Sequence, residues 1–365
     1  MLMDAGATSK DSAAGKGEER QEGETKKKVP VKRKKAEEPS VRKRDSTVEV
    51  TRRPAPVYKL TIPIGDDNPD TFSDLWMRNW GDEIESMEQE TTIPSVRFTD
   101  DVNPAELVSP ISTLQFLEVK IDFAPEEPFG LPWPLRVYGF IAARDAVDYK
   151  RNIIFKCNRD NYQLVDEESP YLLLTGPKRA VVLVDPVYFE VDLKVKGAVE
   201  SEDKDLIFLA EPFDDTGPLD SSVFKCVYTG EICKLELTFG HIVRSVEAAI
   251  SMKVIRGSWP DGLHAFFGAK TSSISNMEIP LLVTCYGHKL PLADDGTIKL
   301  QRHVVCAELR KGEDLEVFVN AEDLNRKRLG DALIFKPQGH SYLRGTLEVG
   351  SCEIEVTVTW SLISW

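Results

Sequence analysis

No run of this chain approaches the roughly 20 apolar residues of a membrane-spanning helix, and residues 1–10 hold no apolar stretch of the signal-peptide kind. Both absences predict an intracellular protein, in the cytoplasm, the nucleus or both, with no membrane attachment. No cysteine pair has C-x-x-C spacing, so Cys157, Cys226, Cys233, Cys285, Cys306 and Cys352 are expected as reduced, buried thiols rather than disulfides or zinc ligands. His241, His264, His288, His303 and His340 show no metal-ligand spacing. There is no G-x-S-x-G elbow, P-loop or dinucleotide fingerprint. The reading is therefore no enzyme, with no catalytic, metal or cofactor-binding residue and no cofactor.

The first 53 residues contain no aromatic residue and are rich in Lys, Glu, Gly, Ser and Thr. Such a segment cannot bury enough apolar surface to offset chain entropy, which predicts a disordered tail over 1–53. Its charge is basic, 15 Lys and Arg against 10 Asp and Glu, whereas the remainder has 31 against 50, a net of −19. An acidic body repels phosphate backbones, so no sequence-specific nucleic-acid binding is expected. Three basic clusters in the tail, Lys26-Lys27-Lys28, Lys32-Arg33-Lys34-Lys35 and Arg42-Lys43-Arg44, have the spacing that an import receptor reads on an extended chain. They are the nuclear-import candidates, and protein partners of unidentified kind are expected for the rest.

Residues 54–112 form a connecting region, in which Thr71 to Trp80 has helical spacing and carries Trp76 and Trp80. Beyond it, strand patterns recur about every ten residues between Gly, Pro, Asp and Asn turns, an all-β signature. In Val187-Tyr188-Phe189-Glu190-Val191-Asp192-Leu193-Lys194-Val195-Lys196 apolar and polar residues alternate, which predicts one core face and one wet face. Asp294-Asp295-Gly296-Thr297 reads as a hairpin turn.

The body also repeats itself. Trp133-Pro134 and Leu135-Arg136-Val137-Tyr138-Gly139 find counterparts in Trp259-Pro260 and Leu263-His264-Ala265-Phe266-Phe267-Gly268. Phe189-Glu190-Val191 matches Leu315-Glu316-Val317, Asp205-Leu206-Ile207-Phe208 matches Ala332-Leu333-Ile334-Phe335, and Cys233-Lys234-Leu235-Glu236-Leu237 matches Cys352-Glu353-Ile354-Glu355-Val356. The nearly constant offset predicts an internal duplication: two tandem antiparallel β-sandwich units over 113–244 and 245–365, packed through apolar faces.

Several motifs carry a family resemblance: Pro134-Leu135-Arg136-Val137-Tyr138-Gly139, Ala143-Arg144-Asp145, Arg151-Asn152-Ile153-Ile154-Phe155, Leu172-Leu173-Leu174-Thr175-Gly176-Pro177 and Glu200-Ser201-Glu202-Asp203-Lys204-Asp205-Leu206. With these, the region from about Leu114 to Ser361 resembles the grass-enriched plant family known as Domain of Unknown Function 6598. The family has no established activity. Some members carry the domain behind a ribosome-inactivating N-glycosidase module, so the resemblance implies a non-enzymatic binding or regulatory module tied to stress or defence. The alternative, a relative of the rRNA N-glycosidases themselves, needs a Glu-Ala-Ala-Arg helix. Here Val246-Glu247-Ala248-Ala249-Ile250 has Ile in place of the Arg that would protonate the leaving adenine, and it falls in a strand pattern.

Two further groups could carry chemistry. Arg144-Asp145, Arg159-Asp160 and Lys178-Arg179 are expected as a polar cluster at one end of the first unit, either as structural ion pairs or as a ligand-facing surface. Asp203, Asp205, Asp214, Asp215 and Asp220 could line a calcium site, although acidic turns are common in so acidic a chain.

Overall fold

Alternating apolar residues along short segments between turn-forming residues build strands, and a computed structural model shows 53% strand against 7% helix, an all-β architecture. The structure describes residues 40–44, 54–64, 69–97, 109–123, 131–214, 219–274 and 277–363. Strand β1 (Val41–Lys43), strand β2 (Val57–Pro63) and helix α1 (Pro69–Trp80) come first. Then follow β3 (Ile111–Asp122), β4 (Leu135–Arg144), β5 (Asn152–Cys157), β6 (Gln163–Val165), β7 (Val181–Val182), β8 (Val187–Val195), β9 (Lys204–Phe213) and β10 (Ser222–Thr229). The 23-residue β11 (Lys234–Arg256) leads into β12 (His264–Thr271), β13 (Ile279–Val283), β14 (Val304–Glu308), β15 (Leu315–Glu322), β16 (Arg328–Phe335), β17 (His340–Val349) and β18 (Cys352–Ser361).

One strand order occurs twice. In the first half the sheets run β5-β4-β8-β9 and β7-β3-β11-β10, and in the second β13-β12-β15-β16 and β14-β11-β18-β17. Each order is antiparallel and each half closes over its own core. In the first, Phe116, Phe189, Phe213, Phe224 and Phe239 pack on one another, mostly edge-on, with ring centroids 4.8 to 5.9 Å apart. In the second, Trp360, Phe267 and Phe335 are fully buried. Full burial of each such side chain stabilises by about 1.5–3 kcal/mol. The tryptophans ahead of β4 and β12 find different partners: Trp133 packs edge-on to Phe123, just past β3, at 5.2 Å, and Trp259 packs on Phe267 of β12 at 5.6 Å.

The halves do not merely abut through apolar faces, as the sequence led us to expect. They share β11, whose first part pairs with β3 and β10 and whose second part pairs with β14 and β18, so one eight-stranded sheet runs through both. The crossing point is Arg244, at φ +46°, where the register against β3 shifts and the side chain reaches Glu308 Oε1 at 2.7 Å. Polar side chains stitch this junction. Thr113 donates to Ser245 Oγ at 2.7 Å, the Cys306 N–H to Gln115 Oε1 at 2.8 Å, and the buried Arg302 to the Phe116 carbonyl at 2.6 Å. Burial lowers the Arg302 guanidinium to about 10.

The N-terminal elements complete the sheets. β2 adds parallel to β10, and α1 lies on the first half with Phe72 and Trp76 buried. Pro69 opens that helix at the position where a missing N–H costs nothing, with Asp70 in the first turn and Arg78 in the last. The expected hairpin is present: Leu292 bridges Ile298 around Gly296 at φ +85°.

Three expectations need correction. The basic segment Arg42-Lys43-Arg44, assigned by composition to the leader, is built onto the body: β1 pairs with β16, with Val41 packed on the second core and acidic side chains of the second half facing the cations. The other import candidates, Lys26, Lys27, Lys28, Lys32, Arg33, Lys34 and Lys35, lie outside the described residues. Four cysteines are buried, but Cys157 is half-buried and Cys285 exposed, since they stand at a strand end and in a loop. Glu190, on the face of β8 expected to be wet, is buried beneath arginines and α1.

Candidate functional site

The six residues expected as one polar cluster separate into two. Arg144 ends β4 and Asp145 follows it; both are buried, as is Arg179. Arg179 Nη1 and Nη2 donate to Asp145 Oδ2 at 2.7 Å and Oδ1 at 2.8 Å, and Nη2 also to Asp148 Oδ1 at 3.0 Å. Arg144 Nε donates to Glu190 Oε2 at 2.8 Å, and its other nitrogens to the carbonyls of Met87 and Tyr149 at 2.5 and 3.0 Å. Arg151 reaches the same Glu190 carboxylate. Lys178 Nζ donates to the Thr91 carbonyl at 3.3 Å.

Burial alone lowers both guanidinium values. At Arg144 it prevails over Glu190; at Arg179 the attraction of Asp145 and Asp148 outweighs it and the net shift is upward. Beside them Glu247 of β11 accepts the N–H groups of Val96 at 2.5 Å and Ala180 at 2.6 Å, and burial raises its carboxyl above the ordinary range. The Glu-Ala-Ala segment of the N-glycosidase alternative is thus a strand whose carboxylate ties two loops to the sheet. The adjoining cavity is about 20 Å³, room for one water and no ligand. Arg144, Arg179 and Asp145 are paired within the fold, and Lys178 and Glu247 bind backbone groups.

Arg159 and Asp160 lie elsewhere, in the turn before β6. Arg159 Nε and Nη2 donate to Asp203 Oδ2 at 2.6 Å and Oδ1 at 3.0 Å, and Tyr138 Oη and the Gly197 N–H also donate to Asp203, each at 2.7 Å. Asp160 is exposed and only faces Lys196 at 3.5 Å. The bonds from Arg159, then Tyr138 and Gly197, hold the Asp203 carboxyl well below the usual carboxylate range. A carboxyl depressed in the folded state adds stability above its unfolded value of roughly 3.9 and loses it as pH falls through the folded value. Asp203→Asn should therefore melt a few degrees below the parent at pH 7, and the gap should close as the pH is taken below about 4. A gap independent of pH in thermal melts would refute this account of Asp203.

Asp203 and Asp205 each face a cation, Arg159 and Lys194. Among the described residues no three His, Cys, Asp or Glu side chains converge as a metal site. Asp215 lies outside them.

The two halves differ most on the outer faces of equivalent sheets. In the first, α1 covers Tyr188, Phe208 and Ala210 with Phe72 and Trp76. In the second, the outward positions His264 and Phe266 of β12, Asn320 and Glu322 of β15, and Arg328 and Gly330 of β16 line an open groove of about 410 Å³. That volume lies in the range of ligand clefts, roughly 300–1,000 Å³. Phe266 stacks with Phe318 at 5.8 Å, while Lys270 Nζ sits 5.0 Å over the Phe318 ring. Arg328 Nε donates to Glu322 Oε2 at 2.9 Å across the rim, and the His264 ring lies 5.1 Å from Tyr286. At Gly330 a Cβ would stand 3.0 Å from both Asn320 Oδ1 and the Val319 carbonyl, so a side chain there would crowd Asn320.

Chemically the groove offers an aromatic floor, one guanidinium–carboxylate pair, an amide and an imidazole. That suits recognition of an extended chain with mixed side chains. In the sequence His264 stood out only for lacking metal-ligand spacing, and Phe266, Asn320, Glu322 and Arg328 were not among the candidate site residues. The available signal was the outward-facing aromatic Phe266 in an otherwise alternating strand.

No curated protein matches this chain. Among solved structures, human GIVD cytosolic phospholipase A2 is similar at 10% identity, with 70% of this chain and 31% of that chain covered and a TM-score of 0.22. This chain spans about a third of the length of that phospholipase. The tandem C2 domains of Extended-Synaptotagmin 2 are similar at 11% identity, with 76% of this chain and 97% of that chain covered and a TM-score of 0.25. A longer piece of the same protein, in which an SMP domain precedes the C2 pair, gives 12%, 82%, 66% and 0.26. TM-scores this low carry nothing for fold or function. The sequence match does carry weight: residues 113–358, more than half of the chain, match one family throughout, and the protein belongs to the family described as Domain of unknown function (DUF6598).

Proposed function

We propose that this chain is a non-enzymatic binding or regulatory module made of two duplicated β-sandwiches, and that it engages a segment of a partner protein in the groove on the β12–β15–β16 face. The carrying observation is the contrast between equivalent faces: α1 seals the first, while the second presents Phe266, Asn320, Glu322 and Arg328 around an open groove. Duplication is supported by the recurring strand order and by the nearly constant sequence offset. The stress or defence setting belongs to the same proposal and rests on the family resemblance alone.

Peptide display on the immobilised full-length protein tests the reading. Extended peptides should be enriched, and their affinity should fall at least tenfold, about 1.4 kcal/mol, in Asn320→Trp, which fills the groove from an exposed strand position. Enrichment of no peptide, or of peptides indifferent to that substitution, would remove the groove as the binding site.

A further inference from the structure

We infer that the β16 edge of the second sandwich is an acidic docking edge for an extended basic segment, that residues 40–44 of the same chain occupy it, and that this docking opens and closes to control access to Arg42-Lys43-Arg44. The backbone geometry is strand addition: Val41, Arg42 and Lys43 pair with Phe335, Ile334 and Leu333. The Arg44 N–H donates to the Ala332 carbonyl at 3.1 Å, and the Lys336 N–H to the Ser40 carbonyl at 3.0 Å.

Every cation of the cluster meets a carboxylate. Arg42 Nη2 lies 3.8 Å from Asp314 Oδ2, and Arg44 Nη1 lies 2.7 Å from Glu316 Oε1. Lys43 Nζ pairs with Asp331 and stands 3.7 Å from Glu348 Oε1. Those acids come from β15, the residue before it, β16 and β17, so three strands converge on a three-residue motif. Lys336 shares Asp314 at 2.8 Å without displacing Arg42.

The edge is also shaped for its occupant. Val41 packs on the second core, and Gly345 of β17 makes the room: a Cβ at that position would stand 3.2 Å from Val41 Cγ1 and 2.8 Å from Leu333 Cδ1. The corresponding edge of the first sandwich, β9, carries no added strand among the described residues.

The same contacts make the docking weak enough to reverse. All three basic side chains are about half exposed, a setting in which ion pairs contribute little and salt screens them. One apolar anchor and a short ladder must offset the entropy of ordering the segment. Docking also protects an edge that would otherwise stand open to intermolecular pairing. Release exposes a contiguous basic motif, so an acidic patch on the protein's own body sets how readily that motif is read.

The test uses the full chain. Tryptic cleavage after Arg42, Lys43 and Arg44, followed by mass spectrometry and normalised to a free peptide of residues 38–46, should be at least tenfold faster in Asp314→Asn/Glu316→Gln/Asp331→Asn than in the parent. In the parent it should accelerate between about 0.05 M and about 0.5 M salt, as the screening length shrinks. Arg42→Pro, which lies outside both sandwiches, covers the case in which the triple variant fails to fold. Between the hydrogen-bonded positions 40 and 44, Arg42 holds the N–H that faces Ile334, so proline removes a ladder bond and should let the labelled 38–46 peptide bind at least tenfold tighter than it binds the parent, whose edge is occupied. Equal cleavage in the parent and the triple variant, or equal peptide binding by the parent and Arg42→Pro, overturns the inference.

Discussion

Arg179→Met should destabilise the protein by about 3–5 kcal/mol, measured by urea denaturation at neutral pH. Arg179 is 3% exposed and Asp145 2%. Without the guanidinium, Asp145 keeps only the N–H groups of Val182 at 2.8 Å and Val147 at 3.2 Å, and Asp148 loses its 3.0 Å partner. A carboxylate stranded in low dielectric is costly, whereas a matched pair merely recovers most of its desolvation. Glu247 suffers too, because Arg179 is among the groups that favour its charged form. The signature is therefore non-additivity. Adding Asp145→Asn keeps the acceptor for the Val182 N–H but removes the charge, and should restore more than half of the loss. A single-variant cost below about 1 kcal/mol, or a double variant no better than the single, would mean that these ions are solvated after all.

The strand pattern was legible because side-chain period and turn chemistry are local. Val187 to Val195 alternates as a strand must, and the offset linking Phe189 to Leu315 joins strands with the same place in the two sheet orders. Errors arose where a distant segment decides. Glu190 read as solvent-facing, and it is buried because α1, more than a hundred residues upstream, lies over that face. Arg144-Asp145 and Arg159-Asp160 looked alike in sequence, yet the turn at residues 159–161 sends Arg159 to Asp203 and away from the buried network. A boundary at residue 244 was reasonable from the offset, but β11 does not end there, and no local signal marks a strand shared by two sandwiches. Arg42-Lys43-Arg44 looked like part of a leader because its carboxylate partners lie some 270 residues or more downstream.

Trp76→Ala should cost about 3–5 kcal/mol of local stability and detach α1 from the first sandwich. Trp76 is 5% exposed; its ring lies 4.9 Å from Tyr188 edge-on and 5.6 Å from Phe72, with the Arg144 guanidinium 5.4 Å over its face. A helix of 12 residues is marginal in water by itself, so α1 persists through this contact and the stacking of Trp80 on Tyr149 at 3.7 Å. Removing the larger anchor leaves too little burial to hold it. Hydrogen exchange should then show α1 amides losing protection while those of β15 and β18 keep theirs, since the sandwich cores do not depend on Trp76. Trp80→Ala, which removes one stacked pair at the helix end, should have the smaller effect. Full protection of α1 in Trp76→Ala would show that something other than aromatic burial holds the helix. Loss of protection confined to α1 would show that the helix is a cover held by its aromatic anchors, and that both sandwich cores stay closed without it.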